Sequence, residues 1–565
     1  MPQSVAPPRL APMATALLGV VALWGIGMGA LGERPLGKET RDMDEGQPVR
    51  LAAGQPIERR IGGGTAHQYL LALEPGQYVR VAVEQRSIDV LLRLSGPDGA
   101  EITRVDSPTG ERGFERVSEV ASAAGEYHFE VSAEDADKAG DYAIRVEELR
   151  PATDRDRRLV AAERVFVEAD GLRRDKKYEE ALALYRQVLE VRERDGGPGD
   201  QAQALYRIGW MLHHLDRWQE AEGFFDRAVE ACRAAGDRAL EAAALNRRGT
   251  VLALLGRYDE ARTSHEQALE AFRETGNRNG ERDALNNLGT VHLWAGRIQA
   301  AVEAYDQARA LARDLGKRKA EGVILTHLGE VYLSQGKLVE ARDAFDGSLR
   351  IARERGDDEN AALALLSLGD VAAREKRFDE AQKRLGEALD LQRRLGDRRN
   401  QAIALNLLGT TLLKSGDLKG SGERYAEALA LFRELGDIQG EAAVLIGIAH
   451  LEEAREDPRA ASVRYGEAQD LFERLRDRHG LAMARFGGAR ARARQGDLTE
   501  ARELLEASLG SIESLRVESQ SLSLRTSYFA SKQHYWELYI DILMGLQTKT
   551  KTNNGGFAAR ALRAA

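Results

Sequence analysis

The chain has 565 residues, a formal net charge of −9 and a single cysteine. This net negative charge argues against a nucleic-acid-binding protein, because neutralising the phosphates of a nucleic acid requires a clustered excess of Lys and Arg. The lone Cys232 excludes an internal disulfide framework, and we interpret it as a packing residue. His213 and His214 are adjacent, so on a helix they point about 100° apart and do not suit one metal. We predict neither a metal site nor a cofactor.

The N-terminal segment is apolar. No charged residue lies between Met13 and Leu31, and Arg9 precedes this stretch. A segment of this length approaches the roughly 17 to 25 residues that span a bilayer, while the small residues from Ala30 to Gly32 suit cleavage of an export signal. Residues 1–32 are therefore predicted to be a signal peptide or a membrane anchor, and both alternatives stay open. Either one predicts an extracytoplasmic protein, which is periplasmic, secreted or anchored facing outward.

After a linker at 33–50, residues 51–150 alternate between apolar and polar side chains, as half-buried strands do. The alternating sets are Val79, Val81 and Val83 and, later, Tyr127, Phe129 and Val131. Turn residues separate these runs, for example at Gly96–Gly99. The pattern predicts an antiparallel sandwich of about seven or eight strands, with Gly62–Gly64 as a hairpin turn.

A family resemblance appears in the same region. The run "RRIGGGTAHQYLLALEPGQYVRVAVEQRSIDVLLRLSGPDGAEI", with "AAGEYHFEV" and "GDYAIRVEELR", resembles the bacterial pre-peptidase C-terminal (PPC) domain. That resemblance implies a small β-sandwich that works outside the cytoplasm and contacts carbohydrate or protein. It implies no chemistry of its own.

From 156 to 515 the sequence repeats every forty residues. A glycine ladder marks the period at Gly209, Gly249, Gly289, Gly329, Gly369 and Gly409. Alanines follow in the same register, at Ala221, Ala261, Ala301, Ala341 and Ala381. Glycine inside a helix costs about 1 kcal/mol relative to alanine, so close helix packing is the simplest reason for the ladder. Further glycines, from Gly236 to Gly436, are predicted to end the second helix of each unit.

Nine two-helix units fit this period. They begin near Leu159, Gln201, Glu241, Glu281, Glu321, Ala361, Gln401, Glu441 and Leu481. The run "ALNNLGTVHLWAGRIQAAVEAYDQARALARDLG" resembles a tetratricopeptide repeat, and the forty-residue unit resembles that of kinesin light chain. The predicted fold is therefore an all-α solenoid preceded by a small all-β sandwich. Later units depart from the pattern at Ala449, Pro458 and Arg476.

The tetratricopeptide resemblance implies that the first helices line a concave face that holds an extended or helical peptide. Polar residues around the ladder are the candidates for this groove: Arg207, Trp210, Asn246, Arg247, Thr250, Asn286, Asn287, Thr290, His327, Glu330, Asp370 and Asn406. Ser367 and Thr410 share their register. An amide grips a peptide backbone and an arginine fork holds a carboxylate. The alternative, that these are solvated polar side chains without a function, stays open.

The C-terminal segment "SLSLRTSYFASKQHYWELYIDILMGL" is predicted to be helical, with Tyr528, Tyr535, Tyr539 and Leu543 on one face. Residues 516–547 are expected to cap the open end of the array, and 548–565 form a polar tail. The segment resembles the lead-in to a CHAT domain, a caspase-like peptidase module. In such relatives the His/Cys dyad would lie beyond residue 565, so no enzyme activity is predicted for this chain.

The sequence is consistent with three functions. The favoured one is a non-catalytic exported scaffold that binds a protein or peptide along the concave face. The second is the regulatory, substrate-recruiting half of a CHAT-type peptidase whose catalytic domain is separate or missing. The third is a carbohydrate-binding surface protein that uses the sandwich. Neither the partner nor the oligomeric state is indicated by the sequence.

Overall fold

The computed structural model describes residues 48–105, 113–133, 138–518 and 533–550. It contains an N-terminal β-sandwich followed by helices that pack as antiparallel pairs. The chain divides into two compact units, with the boundary between Val291 and His292. The first unit holds the sandwich and the early repeats, and the second holds the later repeats.

Nine strands build the sandwich. They are β1 (Val49–Arg50), β2 (Ile57–Gly62), β3 (Ala66–Leu73), β4 (Gln77–Gln85), β5 (Val90–Ser95), β6 (Glu101–Val105), β7 (Gly113–Val120), β8 (Gly125–Ala133) and β9 (Ala139–Pro151). One sheet has the order β1-β3-β8-β5-β6 and the other β2-β9-β4-β7. Only the short β1 pairs in parallel among these described strands. The predicted all-β sandwich is confirmed.

The two-residue alternation places the predicted apolar side chains in the sandwich core. The residues Val79, Val81, Val83, Tyr127, Phe129 and Val131 are all buried there. The interpretation of Gly62–Gly64 as a hairpin turn is wrong. This turn joins β2 to β3, which lie in different sheets, and the Thr65 amide donates to the Gly62 carbonyl at 3.2 Å. The glycines thus carry the chain from one sheet to the other.

Between residues 154 and 518 the structure describes eighteen helices, which alternate as the first and second helices of nine repeats, as the forty-residue period predicts. The first helices of the pairs are α1 (Asp154–Arg174), α3 (Pro198–His214), α5 (Arg238–Leu254), α7 (Arg278–Trp294), α9 (Arg318–Ser334), α11 (Asp358–Arg374), α13 (Arg398–Ser415), α15 (Ile438–Ala454) and α17 (Arg478–Gln495). The second helices are α2 (Tyr178–Asp195), α4 (Trp218–Ala235), α6 (Tyr258–Thr275), α8 (Ile298–Asp314), α10 (Leu338–Arg355), α12 (Phe378–Leu395), α14 (Leu418–Glu434), α16 (Pro458–Leu475) and α18 (Leu498–Glu518).

The ladder glycines lie where the two helices of a repeat approach most closely. A Cβ added at Gly329 would lie 2.5 Å from Cε1 of Phe345, which is far inside van der Waals contact. The same relation joins Gly209 to Phe225, Gly249 to His265, Gly369 to Leu385 and Gly409 to Tyr425. These five ladder glycines therefore make room for a large side chain of their own second helix.

Repeat eight shows how the ladder tolerates Ala449. The ring of Tyr465, which would normally sit over a ladder glycine, leans instead against Gly487 in the next repeat, where a Cβ would collide with it. Gly447 accommodates Tyr425 in the same way, with Cε1 2.7 Å from the position of a Cβ. A glycine of the following first helix can therefore also make room for the ring of a second helix, as Gly447 does for Tyr425 in addition to Gly409.

Helix ends follow the predicted glycines. Gly236 and Gly356 adopt left-handed φ angles of 70° and 65°, a conformation that costs glycine little. Arg476 takes the same conformation without being glycine, at φ 53°. Pro458 is the first residue of α16, where its missing amide hydrogen is not needed.

The sandwich packs directly against the first repeat. Only Ala152 and Thr153 separate β9 from α1. Arg150 donates to both carboxylate oxygens of Asp156, at 2.6 and 3.0 Å, and Arg164 of α1 donates to the buried Glu119 of β7 at 2.9 Å. Arg150 and Thr153 hold the pKa of Asp156 well below its ordinary value. The junction is therefore a packed, ion-paired contact.

A last helix, α19 (Gln533–Thr550), packs on α17 and α18. Its Tyr535 ring stacks on Phe486 with centroids 3.9 Å apart, Leu543 is buried, and the Tyr539 hydroxyl donates to Glu506 at 2.8 Å. The predicted Tyr528 lies outside the described residues. No helix in the described ranges has the length and apolarity needed to cross a membrane; the predicted segment Met13–Leu31 is not among them.

Candidate functional site

The first helices line the inner side of the curve within each compact unit. Successive first helices contact one another, as α3 does α5 in the first unit and α11 does α13 in the second. Across the described helices, successive second helices lack comparable contacts, so they lie further apart. A side chain that points away from the second helices therefore faces a concave surface.

In each unit, the residue directly after each ladder position lies on the concave surface of that unit. We call this set the inner column; its members are Trp210, Thr250, Thr290, Glu330, Asp370, Thr410, His450 and Arg490, and all of them are at least partly exposed. His450 and Arg490 are not among the groove residues that the sequence predicts. They follow alanines instead of glycines, so the forty-residue register alone could have found them.

The residues two positions before the ladder face the neighbouring repeat. Asn287 is 8% exposed and His327 is 6% exposed. His327 packs on the Tyr305 ring, with centroids 5.4 Å apart, and Arg207 contacts Asp170 of the preceding repeat at 3.3 Å. The expectation that Arg207, Asn287 and His327 lie open along a groove is therefore corrected, since these three side chains pack between repeats, whereas Arg247 in the same register is only partly buried. Ser367 is buried as well.

The asparagines three positions before the ladder are also engaged within the protein. Asn246 Oδ1 lies 2.8 Å from His265 Nδ1 and accepts from Asn287 Nδ2 at 3.1 Å. Burial lowers the pKa of His265 to about 3, so its ring is neutral near pH 7. Asn286 and Asn406 are buried. The Asn246 amide therefore links α5 to α6 and α7, and the buried Asn286 and Asn406 are not accessible to a peptide backbone.

Three arginines from consecutive first helices surround Trp210. The guanidinium carbons of Arg173, Arg207 and Arg247 lie 4.9, 5.6 and 5.4 Å from the centre of the indole ring. They belong to α1, α3 and α5, respectively. Each distance is within the roughly 6 Å of a favourable cation–π contact. We call Trp210 and these arginines the Trp210 cluster.

One carboxylate balances part of this positive charge. Asp170 pairs with Arg173 at 2.9 Å and with Arg207 at 3.3 Å, and it accepts from the Tyr185 hydroxyl. The arginines lower the pKa of Asp170 against the opposing effect of burial, so the carboxylate stays ionised. Arg247 differs from the other two arginines, because it makes no hydrogen bond or ion pair with any described residue.

Two histidines lie beside the cluster. His214 stacks on Tyr178, with ring centroids 4.7 Å apart, and His213 packs edge-on against His214 at 5.5 Å. Burial and the charge of Arg247 lower the pKa of both histidines to about 4. His213 Nδ1 is buried without a hydrogen-bond partner in the described structure. Both rings are thus neutral near pH 7.

Family comparison identifies the repeats. A tetratricopeptide repeat profile matches residues 168–234, 240–314, 321–394 and 360–434, and a second profile of that description matches 459–514. The chain belongs to the tetratricopeptide repeat family. Among curated proteins, none matches this sequence.

Several solved structures resemble this tetratricopeptide protein. The apo quorum sensor NprR from B. thuringiensis is 14% identical, with 56% of this chain and 88% of that chain covered and a TM-score of 0.46. Aspartyl phosphate phosphatase F from Bacillus subtilis is 14% identical over 62% of this chain and 94% of its own, with a TM-score of 0.44. A putative kinesin light chain from Podosopora anserina is 15% identical over 35% and 97%, with a TM-score of 0.32. At this identity the similarities concern the fold alone.

Glu330 is the member of the inner column with the most unusual environment. Within the described ranges, no hydrogen bond or ion pair reaches its carboxyl group. Burial alone raises its pKa to about 8. Asp370, the next acidic member of the inner column, is instead paired with Arg374 at 3.0 Å. Glu330 is thus largely protonated near pH 7.

We expect Glu330→Gln to remove a loss of stability at alkaline pH. Because the folded-state pKa of about 8 lies above the ordinary value, the folded state keeps a proton that the unfolded chain releases. This contribution to stability is complete below the ordinary carboxyl pKa and is lost as the pH rises through 8. The variant should be more stable than the parent by about 1–2 kcal/mol at pH 8.5, a figure reduced for partial solvent exposure.

Chemical denaturation at pH 5 and pH 8.5 checks this expectation. Asp370→Asn is the matched control, because that carboxylate already has an arginine partner and its replacement offers no gain. If the free energy of unfolding depended on pH in the same way for the parent and for Glu330→Gln, the Glu330 carboxyl group would have a partner or be fully hydrated.

Proposed function

We propose that this protein is a non-catalytic tetratricopeptide scaffold that binds a protein or peptide partner along the concave face of its repeats. The inner column carries this proposal, because its members stay at least partly accessible, whereas Asn287, His327 and Asn406 at neighbouring register positions are buried. Polar and charged side chains one repeat apart offer successive contacts to an extended or helical peptide. The column mixes hydroxyl, acidic, basic and aromatic groups, so it favours one partner sequence over others.

The environment of Cys232 supports a non-catalytic role. The thiol is fully buried, and burial raises its pKa well above the ordinary value. A cysteine nucleophile needs the opposite, namely a lowered pKa and access to a substrate. Cys232 therefore acts as an apolar packing residue of α4.

Two threonines give a matched test of the concave face. Thr250 lies in the inner column and its hydroxyl donates to the Asn246 carbonyl at 3.2 Å. Thr263 is exposed on the second helix of the same repeat, and its hydroxyl donates to the Asp259 carbonyl at 3.0 Å. We expect Thr250→Trp to weaken partner binding at least tenfold by filling the surface, and Thr263→Trp to leave it unchanged.

The measurement is quantitative affinity capture from cell-envelope extract with the full chain, followed by titration of each captured protein. If a captured partner bound Thr250→Trp and Thr263→Trp equally well, its binding surface would not include the concave face at Thr250. Circular dichroism melting of both variants separates a blocked surface from a damaged fold.

We also propose that the protein is exported, with the repeats outside the cytoplasm. Support comes from the uncharged segment Met13–Leu31 and from the PPC resemblance of residues 51–150. Protease protection in fractionated cells tests the location, and the N-terminal mass of the mature protein distinguishes a cleaved signal from a retained anchor. Cytoplasmic recovery of the intact chain would remove this part of the proposal.

A second candidate is the regulatory half of a CHAT-type peptidase. The packing of α19 against the final repeat supports it, because a helix held there is suited to position a following module. Sequencing downstream of codon 565 tests it, since an adjacent CHAT reading frame is expected. Carbohydrate binding by the sandwich stays a prediction, which glycan-array binding would test.

A further inference from the structure

The carboxyl group of Glu330 has no partner among the described residues, although it lies in the inner column on the concave side of α9. The side chains one helical turn away supply no cation, since they are Thr326 and Ser334. Their hydroxyl groups are engaged elsewhere. Thr326 Oγ1 lies 2.9 Å from Ser348 Oγ, and Ser334 donates to the Val331 carbonyl at 2.7 Å.

The other charged members of the inner column have partners. Asp370 pairs with Arg374 one helical turn further along α11, at 3.0 Å, and Arg490 donates to the two oxygens of Glu453 at 2.9 and 2.6 Å. The threonines of the column donate to the carbonyl group four residues earlier on their own helices. Glu330 differs from these members, because within the described chain its acceptor oxygens are left for a group from outside.

No charge of the described residues balances Glu330. His327, three residues earlier on α9, is neutral near pH 7 because burial lowers its pKa to about 4. The side chain of Tyr332 points about 200° away from that of Glu330 around the helix. The charged groups of α8 and α10 that act on Tyr332 are Asp306, Arg309 and Glu340. Burial alone raises the pKa of Glu330 to about 8.

We propose that Glu330 is a subsite for a cationic group of the peptide partner, namely a lysine or arginine side chain or the amino terminus of the peptide. A positive group in contact with the carboxyl group favours its ionised form and makes a charge-assisted hydrogen bond to it. Such a contact is stronger at a partly buried carboxylate than at one in bulk water. The inference rests on the proposed peptide-binding function and assigns the chemistry of one position on the concave face.

Binding of a cation at Glu330 is coupled to the loss of a proton. The carboxyl group is largely protonated at pH 7 in the free protein, whereas the bound form is the carboxylate. We therefore expect release of about one proton per bound peptide at pH 7. Affinity should rise about tenfold or more between pH 6.5 and pH 8.5, because less work is then needed to ionise the group.

The first test is selection by the full chain, at pH 8, from two arrays of random peptides, one N-acetylated and one with free amino termini. We expect the acetylated peptides that bind to be enriched about threefold or more in lysine and arginine at one position. Binding that instead requires a free amino terminus would identify that group as the cation. Glu330→Gln should lose the preference, and Glu330→Lys should replace it with a preference for acidic residues.

Asp370→Asn is the matched control, because that carboxylate already pairs with Arg374. It should select the same peptides as the parent. Unaltered circular dichroism spectra of the variants exclude a folding defect. Calorimetric titration of the tightest selected peptide, in two buffers of different ionisation enthalpy, then counts the protons released by the parent and by Glu330→Gln.

Selected peptides without a cationic preference in either array, or equal proton release by the parent and Glu330→Gln, would overturn the cation subsite. Those results leave the comparison of Thr250→Trp and Thr263→Trp untouched, so the concave face can still be the binding surface. Arrays that yield no binding peptide would count against the peptide-binding function and the subsite together.

Discussion

Gly329→Ala is expected to lower the free energy of unfolding by about 1–3 kcal/mol, although alanine is the better helix former by about 1 kcal/mol. The new Cβ would lie 2.5 Å from Cε1 of Phe345, a ring that is fully buried and has no room to withdraw. Either α9 and α10 separate or the ring leaves its favoured conformation, and both outcomes cost packing energy. Denaturation followed by circular dichroism measures the change, and hydrogen exchange locates it in α9 and α10.

Gly386→Ala is the matched control. Gly386 lies inside α12, where a Cβ would meet no atom within 4 Å. The substitution then acts only through the higher helix propensity of alanine, so it should stabilise the protein by about 0.5–1 kcal/mol. Opposite signs for two glycine-to-alanine changes in neighbouring repeats would demonstrate the steric origin of the ladder. A stabilising effect at Gly329 would show that the helices adjust freely and that the ladder has another cause.

Gln392→Leu is expected to raise the free energy of unfolding by about 1–3 kcal/mol. The side chain is 1% exposed, and neither its amide nitrogen nor its oxygen has a hydrogen-bond partner in the described part of the chain. The equivalent positions of six other repeats carry apolar residues, namely Cys232, Phe272, Ala312, Ala352, Phe432 and Phe472, whereas the first repeat has Arg192 there. Leucine has a similar volume and brings no polar atoms that need partners. Thermal and urea denaturation of the two proteins measures the gain.

The neighbouring Gln401 supplies the contrast. It is also buried, but its side-chain amide donates to the Gln392 carbonyl at 3.0 Å and thereby satisfies the end of α12. Gln401→Leu removes this hydrogen bond, while the Asp397 amide still donates to the Gln392 carbonyl at 3.0 Å, so the substitution should destabilise the protein by about 1 kcal/mol. If Gln392→Leu were destabilising as well, a buried water bound to the Gln392 amide would be the explanation, and a high-resolution crystal structure would reveal it.

The sequence predicted the repeat architecture well, because its signal is steric and recurs. A ladder glycine with a large residue sixteen positions later specifies a close pair of helices in repeat after repeat. Gly236 and its equivalents fixed the helix ends through their left-handed conformation. Departures such as Arg476 did not disturb the prediction, since the surrounding period constrains each unit.

The candidate site was less predictable. Residues at neighbouring register positions look alike in sequence, yet Trp210 and Glu330 lie on the concave surface while Asn287 and His327 are buried between repeats. The difference depends on how one repeat stacks on the next, because the ring of the preceding second helix extends to the position two before the ladder. A single period contains no information about that stacking.

The sequence by itself determined the sandwich, the succession of paired helices and the tight contacts at Gly209, Gly249, Gly329, Gly369 and Gly409, because local periodicity and the missing side chain specify them. Only the tertiary structure decided which side chains remain accessible and which charges are unbalanced. Arg173, Arg207 and Arg247 lie in three different helices and meet at Trp210 only when the repeats stack. The unpaired Arg247 and the protonated Glu330 follow from burial and from neighbours distant in sequence, which no linear pattern shows.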